Sequence, residues 1–492
     1  MPRRLSIGPG LARGWAILLV AIALAAQPPS APGAESPDEA RPNVLFIAVD
    51  DLNDWITLLD PKAPIRTPNL TRLAERGVVF TRAYCASAAC NPSRVALLTG
   101  KRPSTTGVYG NKADWRGAMP DAVTLMQHFM AHGYRVEGAG KVFHHHWGGA
   151  FHDPKSFHRF QMMPDPPDAP MPTAKLNGLA WYGSPNTDWG TWPGDEAEHV
   201  DVRTVDFCVA RLHEPRDNGQ PLFLAAGIFR PHMPFFAPER YFAEYPTDEV
   251  VMPKTKDDDL DDIPSGGQRL LAAKKWFFEG MMKAERESPG TWREAVRGYQ
   301  ACATFADAQI GRLLDALDAG PSRDNTIVVL WSDHGYHLGE KRHWEKFALW
   351  EKTTHVPYVI VAPGVAKAGG RCDRPVDLTS VYPTLIELCR LAPRHDLDGE
   401  SLVPLLRDPQ AEWEPPAVMT YRRGNHAVRT ARWRYIRYAD GTEELYDHDA
   451  DPHEWNNLAD DPEHASVVRD HRRWLPSIDA EPVPDLIRKK AG

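Results

Sequence analysis

The sequence predicts an α/β protein with a large, mostly parallel sheet flanked by helices. Three continuous apolar runs, at 43–49, 222–227 and 325–331, are rich in strand-forming residues. A strand that is apolar at every position is typical of a sheet buried on both faces. Helical patterns separate these runs, including a long amphipathic pattern around 310–317. Strands that alternate with helices over this length indicate a parallel α/β sheet.

The pattern changes after about residue 416, where short segments bounded by turns replace the long apolar runs. Their β-branched and aromatic residues predict a small antiparallel sheet followed by a helix. The predicted strands are 417–420, 426–429, 433–438 and 443–447, and the predicted helix is 464–474. We therefore predict a large α/β domain over 41–408 and an α+β C-terminal subdomain over 409–492.

The N-terminal segment has the features of an export signal. Arg3, Arg4 and Arg13 precede a short apolar stretch at 15–26 that ends in small residues. This order predicts a signal peptide over 1–26, followed by a flexible linker over 27–40. An uncleaved membrane anchor is the alternative, although the stretch is short for a membrane span. We expect a protein exported to the periplasm or the extracellular space, with no membrane association after cleavage.

The charge and the cysteines exclude several classes of function. The formal net charge is −9 at pH 7, and the signal peptide contributes three arginines to it. An acidic protein is a poor candidate for a nucleic-acid partner, so positive charge for an anionic ligand must be local. The six cysteines include no Cys-x-x-Cys pair, which argues against a zinc ribbon or a thioredoxin-like site.

The central motif is Cys90-Asn91-Pro92-Ser93-Arg94, followed by Val-Ala-Leu-Leu-Thr-Gly. Proline is favourable in the first turn of a helix, so Cys90 is predicted at a helix N-terminus. Free backbone N–H groups and the helix dipole favour anions there. Arg94 lies one turn further on and faces the same side. The motif by itself indicates an anion site with a reactive side chain, or else a buried free cysteine beside a helix.

Polar residues follow the predicted strands at several places. Asp50 and Asp51 come after the first buried strand, and Asp333 and His334 come after the strand at 325–331. The carboxyl ends of parallel strands are where α/β proteins place their ligands. Adjacent carboxylates repel each other unless a cation lies between them. The remaining cationic candidates on strand ends and loops are Lys141, His144, His232 and Lys346.

These motifs together resemble the type I sulfatases of the alkaline phosphatase-like superfamily. The Cys90 motif with its Leu-Thr-Gly tail is similar to the signature of that family, and the resemblance extends from Asn43 to the C-terminus. Gly-Lys-Val-Phe-His at 140–144 and Arg-Pro-His-Met-Pro-Phe at 230–235 are similar to the iduronate-2-sulfatase branch. The resemblance implies that 41–408 is the catalytic domain. It also implies that a formylglycine-generating or equivalent maturation enzyme converts Cys90 to formylglycine.

The resemblance also implies roles for individual residues. A calcium ion is expected on ligands from both strand ends and the modified cysteine: Asp50, Asp51, Cys90, Asp333 and His334. The hydrated aldehyde at Cys90 is the expected nucleophile, and Arg94 with the metal lowers the cost of its deprotonation. Lys141 and Lys346 are expected to hold the sulfate. His232 is expected to protonate the leaving oxygen, and His144 to take the proton that releases sulfate.

Two alternatives remain, together with an open question about the substrate. A phosphatase or phosphonate hydrolase of the same superfamily is one alternative, and a non-catalytic binder of sulfated glycans with unconverted Cys90 is the other. The expected substrate is a sulfated saccharide, with a 2-O-sulfated uronate as the first choice. We expect the aromatic-rich segment 147–192 to form a rim that stacks on sugars. Phe229 departs from the human-type enzyme, which has a polar ring at the matching position.

Overall fold

The computed structural model describes residues 41–144, 151–164, 167–169, 171–215 and 219–486. The predicted signal peptide and linker lie outside these residues and stay predictions. The chain from Arg41 onward forms one compact unit. Among the helices of the described ranges, none combines the length and the apolar character needed to cross a membrane.

The elements follow the alternating order that the sequence predicts. The strands are β1 (Asn43–Asp50), β2 (Val78–Phe80), β3 (Ala83–Tyr84), β4 (Arg135–Gly140), β5 (Arg159–Gln161), β6 (Trp189–Thr191), β7 (Leu222–Pro231), β8 (Phe235–Ala237), β9 (Thr326–Ser332), β10 (His337–Leu338), β11 (Trp344–Glu345), β12 (Tyr358–Val361), β13 (Gly370–Cys372), β14 (Val376–Asp377), β15 (Ala417–Thr420), β16 (His426–Arg429), β17 (Trp433–Arg437) and β18 (Glu443–Asp447). The α-helices are α1 (Pro68–Ala74), α2 (Cys90–Thr99), α3 (Pro103–Thr106), α4 (Trp115–Ala118), α5 (Leu125–Ala131), α6 (Val200–His213), α7 (Glu239–Ala243), α8 (Ser265–Ala272), α9 (Lys275–Glu287), α10 (Thr291–Ala319), α11 (Glu351–Thr354), α12 (Val381–Leu388), α13 (Val403–Arg407) and α14 (Ala465–Arg472).

The main sheet has eight strands in the order β13-β2-β12-β9-β1-β7-β4-β5. The central strand β1 pairs in parallel with β7 on one side and with β9 on the other. In this sheet β12 alone runs against its neighbours, since it is antiparallel to both β9 and β2. The large, mostly parallel sheet predicted from the sequence is therefore confirmed.

Both faces of the sheet are covered, as the uniformly apolar strands predict. Leu45, Ile47 and Val49 of β1 pack into one core cluster, which includes apolar residues of α1, α6 and α10. The alternate residues Val44 and Phe46 pack into a second cluster with residues of α2, α5 and α12. Successive side chains of a strand point to opposite faces, so β1 anchors both helical layers.

The C-terminal part contains the predicted antiparallel sheet, in the order β15-β16-β17-β18. Its four strands agree with the predicted ones to within one residue, and α14 lies inside the predicted helix. The small antiparallel subdomain is thus confirmed as part of the fold class. Its boundary at 408/409 stays a prediction, because residues on both sides belong to the same compact unit.

The aromatic segment near 147–192 differs from the predicted sugar-stacking rim. Tyr182, Trp189 and Trp192 are buried, whereas Trp181 is 46% exposed. Tyr182 and Trp189 belong to the main core, where the Tyr182 hydroxyl donates to the carbonyl oxygen of Phe277 at 2.7 Å. The rim prediction is therefore wrong for these three rings. Packing a large aromatic ring into the core stabilises the protein more than leaving the ring exposed to solvent. Trp147 lies outside the described residues.

A close approach of two strands sets the position of Lys141. The Lys141 N–H donates to the carbonyl oxygen of Gly227 at 2.9 Å, at the point where β4 ends beside β7. A Cβ atom at Gly227 would lie within 3 Å of the Lys141 backbone. Glycine is required at 227 because the neighbour is backbone, which cannot rotate away.

We predict that Gly227→Ala destabilises the protein and misplaces Lys141. Overpacking of this kind typically costs about 1–3 kcal/mol, so the melting temperature should fall by several degrees. Calorimetry checks the stability, and an activity assay checks the placement of Lys141. Gly110→Ala is the matched control, because a Cβ there meets nothing within 4 Å. Equal melting temperatures for the two variants would contradict the prediction.

Candidate active site

The side chains singled out in the sequence meet at the carboxyl edge of the main sheet. Strand β1 ends at Asp50, β9 is followed by Asp333, and β4 is followed by Lys141. Strand β7 leads into the loop of His232. Because these strands are parallel, their carboxyl ends bring residues that are distant in sequence to one place.

Cys90 is the first residue of α2, as predicted from the proline two positions later. The helix ends at Gly100, whose φ of 69° gives a left-handed C-cap. The Cys90 Sγ is fully buried, 3.2 Å from His334 Nε2 and 3.8 Å from Lys141 Nζ. Burial would raise the pKa of the Cys90 thiol, but Lys141 and Lys346 outweigh it and lower the pKa to about 5. The electrostatics of this position therefore favour a negative charge on side chain 90.

Arg94 holds two of the carboxylates in place. Its Nε donates to Asp333 Oδ2 at 2.8 Å, and its Nη2 donates to Asp50 Oδ1 at 3.1 Å. A third nitrogen donates to the carbonyl oxygens of Lys141 and Val142. The guanidinium is buried, with its planar donors matched to acceptors on three segments of the chain. Arg94 thus fixes the carboxylates relative to α2 as well as adding positive charge.

The acidic residues form a cluster that fits a metal ion. Ligand atoms of Asp50, Cys90, Asp333 and His334 all lie within 4.8 Å of one another. Asp51 joins them, since its Oδ1 is 3.4 Å from His334 Nε2. Three buried carboxylates are an oxygen-rich donor set of the kind that calcium prefers, whereas His334 is an unusual calcium neighbour.

Backbone contacts support the unusual conformation of Asp51. Its φ is 65°, a left-handed value that is uncommon outside glycine. The Asp51 N–H donates to Asp333 Oδ1 at 3.1 Å, and the Tyr299 hydroxyl donates to the Asp51 carbonyl oxygen at 2.7 Å. Tyr299 comes from the long helix α10, and its role was not predicted from the sequence. These bonds direct the Asp51 carboxylate toward the cluster.

Burial and neighbouring charges act on the three carboxylates in opposite ways. Burial raises the pKa of Asp51 to about 7 and that of Asp333 to about 6, although Lys346 and Arg94 oppose the rise. Burial would also raise the pKa of Asp50, but Lys141 and Arg94 hold it well below its ordinary value. The cluster is stable as a set of anions only when positive charge lies beside it.

Two buried lysines supply that positive charge. The Lys141 ammonium forms an ion pair with Asp50, and Lys346 Nζ lies 2.7 Å from Asp51 Oδ1. Both side chains border the position of Cys90, because each lowers the pKa of its thiol. The two lysines therefore supply cations near position 90 for an anionic group bound there.

His144 and His232 lie at the same site, and burial lowers the pKa of both imidazoles. A ring nitrogen of His232 lies within 4.8 Å of ligand atoms of Asp51 and Cys90. Burial, and after it Lys141, lowers the pKa of both His144 and His232 well below the ordinary value. The His232 Nδ1 lies 2.5 Å from the carbonyl oxygen of Met233, which orients the ring. A neutral imidazole at such a site is equipped to accept a proton.

Several contacts that support the site were not predicted from the sequence, although Phe229 and the motif of Arg230 were noted there. The rings of Phe151 and Phe229 lie 5.5 Å and 5.3 Å from Lys141 Nζ, and the Phe229 ring is 4.7 Å from the His232 ring. Buried Arg230 pairs with Asp168 and donates to the His232 carbonyl oxygen at 3.3 Å. Only the strand-end position of Phe229 and Arg230 could have indicated these roles.

Comparisons with known proteins agree with this geometry. A family model described as Sulfatase matches residues 42–390, and one described as N-sulphoglucosamine sulphohydrolase, C-terminal, matches residues 339–480. The chain is 39% identical over 456 residues to a sulfatase of Formosa agariphila, with 89% of this chain and 87% of that protein covered.

More distant relatives have names that specify a substrate. A choline-sulfatase of Rhizobium meliloti is 28% identical, with 86% of this chain and 83% of that protein covered. Iduronate 2-sulfatase of Mus musculus is 26% identical, with coverages of 87% and 93%. The solved structure of a 2-O GAG sulfatase has the same fold, with a TM-score of 0.67 at 24% identity over 88% of this chain and 91% of that one.

The Sulfatase model spans most of the chain and includes the whole acidic cluster, Cys90 and both lysines. The parallel sheet places these residues at one edge. The chain therefore belongs to the sulfatase family and is a sulfuric ester hydrolase.

Proposed function

We propose that this protein is an exported, calcium-dependent sulfatase that removes a sulfate ester from a saccharide by means of formylglycine at position 90. The observation that carries the proposal is the position of Cys90 among buried carboxylates, with two buried lysines whose charges act on its side chain. The basic and apolar N-terminal pattern of the sequence supports export.

Burial of Cys90 bears on how it would be converted. The side chain has no solvent exposure in the folded chain, and His334 and Lys141 contact its sulfur. A maturation enzyme would therefore have to act before this segment folds. A hydrated aldehyde at position 90 would supply the hydroxyl that attacks sulfur and a second hydroxyl whose deprotonation releases sulfate.

The chain's own residues would bind the ester and move the protons. Lys141 and Lys346 would bind the sulfate oxygens and offset the negative charge that develops on them. His232 would protonate the leaving oxygen, and an anionic ester beside it would raise its lowered pKa. His144 is neutral and suited to accept a proton as a general base. The aromatic rings around Lys141 exclude water from this part of the site.

Asp50, Asp51, Asp333 and His334, with side chain 90, would hold the calcium ion. Its positive charge would act as a Lewis acid toward oxygen groups at the site. The phosphatase alternative is less favoured, because the described cluster has one histidine among its carboxylates, whereas zinc sites are richer in nitrogen and sulfur ligands.

A sulfated saccharide, with 2-O-sulfated uronate as the first choice, is the substrate we propose. The sequence Gly-Lys-Val-Phe-His at 140–144 supports it through its similarity to the iduronate branch. The relatives named choline-sulfatase and iduronate 2-sulfatase define the two substrate types that have to be separated by assay.

The first prediction concerns the nucleophile. Cys90→Ala and Cys90→Ser should each lower sulfate release more than about a thousandfold, because neither side chain can form an aldehyde hydrate. Both should fold, since a small residue fits the start of α2. Mass spectrometry of the peptide should show wild-type position 90 lighter by the difference between CH₂SH and CHO. Appreciable turnover by either variant, or unconverted cysteine in the active enzyme, would refute the formylglycine mechanism.

The second prediction concerns the metal. Chelation should abolish activity and lower the melting temperature by several degrees, because the buried carboxylates then lose a stabilising ion worth about 3 kcal/mol at saturation. Added calcium should restore both quantities. If the purified enzyme contains zinc and hydrolyses phosphate monoesters faster than sulfate esters, the phosphatase alternative is correct.

The third prediction concerns the substrate. A panel of 2-O-sulfated uronate disaccharides, other sulfated oligosaccharides, choline sulfate and a steroid sulfate should give the highest kcat/KM for a sulfated saccharide. Liberated sulfate is measured by ion chromatography at equal enzyme concentration. The proposal fails if choline sulfate or the steroid sulfate exceeds every saccharide tested.

A further inference from the structure

The loop that carries Lys346 has an unusually strained backbone. Positive φ values occur at Lys341 (53°), Arg342 (46°), Glu345 (78°) and Phe347 (80°). Side chains of this size rarely adopt the left-handed region, and a bulky aromatic residue there is an outlier. Such strain persists only where the surroundings hold it, and it clusters at ligand-binding sites. Two of the four residues flank Lys346, so part of the strain lies where the loop meets the active site.

The strained loop is bonded to the chain just before α2 through the backbone of Phe347. The Phe347 N–H donates to the carbonyl oxygen of Ala88 at 3.0 Å, two residues before α2 begins. The ring is only partly buried, and its centroid lies 5.9 Å from Lys346 Nζ. Tyr421, at the edge of the C-terminal sheet, contacts it with a centroid distance of 5.8 Å. Phe347 therefore offers a partly open aromatic surface next to the sulfate-binding lysine.

A second lysine contacts the same ring. Lys274 precedes α9, and its Nζ lies 4.2 Å from the Phe347 centroid. Since Lys346 Nζ is 5.9 Å from that centroid, the two ammonium groups are at most about 10 Å apart. Lys346 is directed inward to Asp51, whereas the Lys274 side chain is 28% exposed. One cation is thus buried at the reaction site, and the other remains accessible near it.

Glu345 forms an ion pair with Lys274 that does not use all the hydrogen-bond donors of the ammonium group. The Lys274 Nζ lies 3.2 Å from Glu345 Oε2, and an ammonium group has three donors. A partly exposed ion pair adds little to stability, so this pair does not account for the strained backbone at Glu345 and Phe347. A role in ligand binding would account for both the strain and the remaining donors.

We propose that Phe347 and Lys274 form a saccharide subsite that recognises a second anionic group on the substrate. The inference rests on the proposed action on a sulfated saccharide. The Phe347 ring would stack on the apolar face of the sugar, while Lys274 binds a carboxylate or a second sulfate. The upper limit of about 10 Å between the two ammonium groups allows one sugar ring to carry the scissile sulfate at Lys346 and another anion at Lys274.

The test compares Lys274→Met with Lys275→Met in the matured, metal-loaded enzyme. Methionine keeps an apolar side chain over Phe347 and removes the charge. Lys275 is the matched control, because its side chain is 69% exposed and pairs with Glu279 on the surface of α9. The substrates are a 2-O-sulfated uronate disaccharide, a disulfated hexosamine, a monosulfated neutral hexose and 4-nitrophenyl sulfate.

Lys274→Met should lower kcat/KM roughly tenfold or more, mainly through KM, on substrates with a second anion. It should leave the neutral hexose and 4-nitrophenyl sulfate unchanged, and Lys275→Met should change none of the four. A loss confined to the uronate identifies a carboxylate as the ligand, and a loss confined to the disulfated hexosamine identifies a sulfate. An equal loss on all substrates, or no loss on either doubly anionic one, would overturn the subsite.

The aromatic part of the subsite has its own variants. Phe347→Leu should weaken binding of the saccharides with a second anion and of the neutral hexose alike. Phe347→Tyr should retain this binding, because tyrosine keeps the flat ring at the same strained position. Equal behaviour of the two variants would reject stacking. If the wild-type enzyme cleaves 4-nitrophenyl sulfate but no saccharide, the proposed substrate itself is wrong. If instead the wild-type enzyme cleaves the saccharides and Lys274→Met cleaves them equally well, only the subsite is refuted.

Discussion

Burial of three carboxylates at one edge of the sheet is the constraint on which the rest of the site depends. Asp50, Asp51 and Asp333 are fully or almost fully buried, and isolated buried carboxylates are very costly. Arg94, Lys141 and Lys346 each form an ion pair with at least one of them. Removal of any one cation would leave an uncompensated buried charge, so these side chains stabilise the site as a set.

The order of the strands in the main sheet brings these charged residues together. Because β1 lies between β7 and β9, its carboxyl end is adjacent to the segments that carry Asp333 and His232. Helix α2 then brings Cys90 and Arg94 over the same edge, with the Ser93 hydroxyl bonded to the Asp333 carbonyl oxygen at 2.5 Å. The site is thus built on rigid elements, and positive φ values of non-glycine residues occur in it at Asp51 and in the loop around Lys346.

The sequence predicts the sheet and the C-terminal subdomain well, because both depend on local periodicity. Uniformly apolar runs indicate strands buried on two faces, and short turn-bounded runs indicate antiparallel strands. Proline two residues after Cys90 likewise predicts the start of α2. The same reasoning is wrong for the aromatic rim, since Tyr182 and Trp189 face the core. Composition alone does not distinguish an aromatic ring that binds sugar from one that fills a core.

The supporting contacts could not be predicted, because they join residues far apart in the chain. Tyr299 bonds the Asp51 carbonyl oxygen across 248 positions, and Lys274 reaches Glu345 across 71. No local pattern marks Tyr299 within its helix or Lys274 just before α9 as a residue of the site. Backbone strain at Phe347 is equally invisible in the sequence, since the residue has no intrinsic preference for positive φ. What a single sequence does indicate is chemistry that must lie at strand ends, because the sheet itself determines where those ends meet.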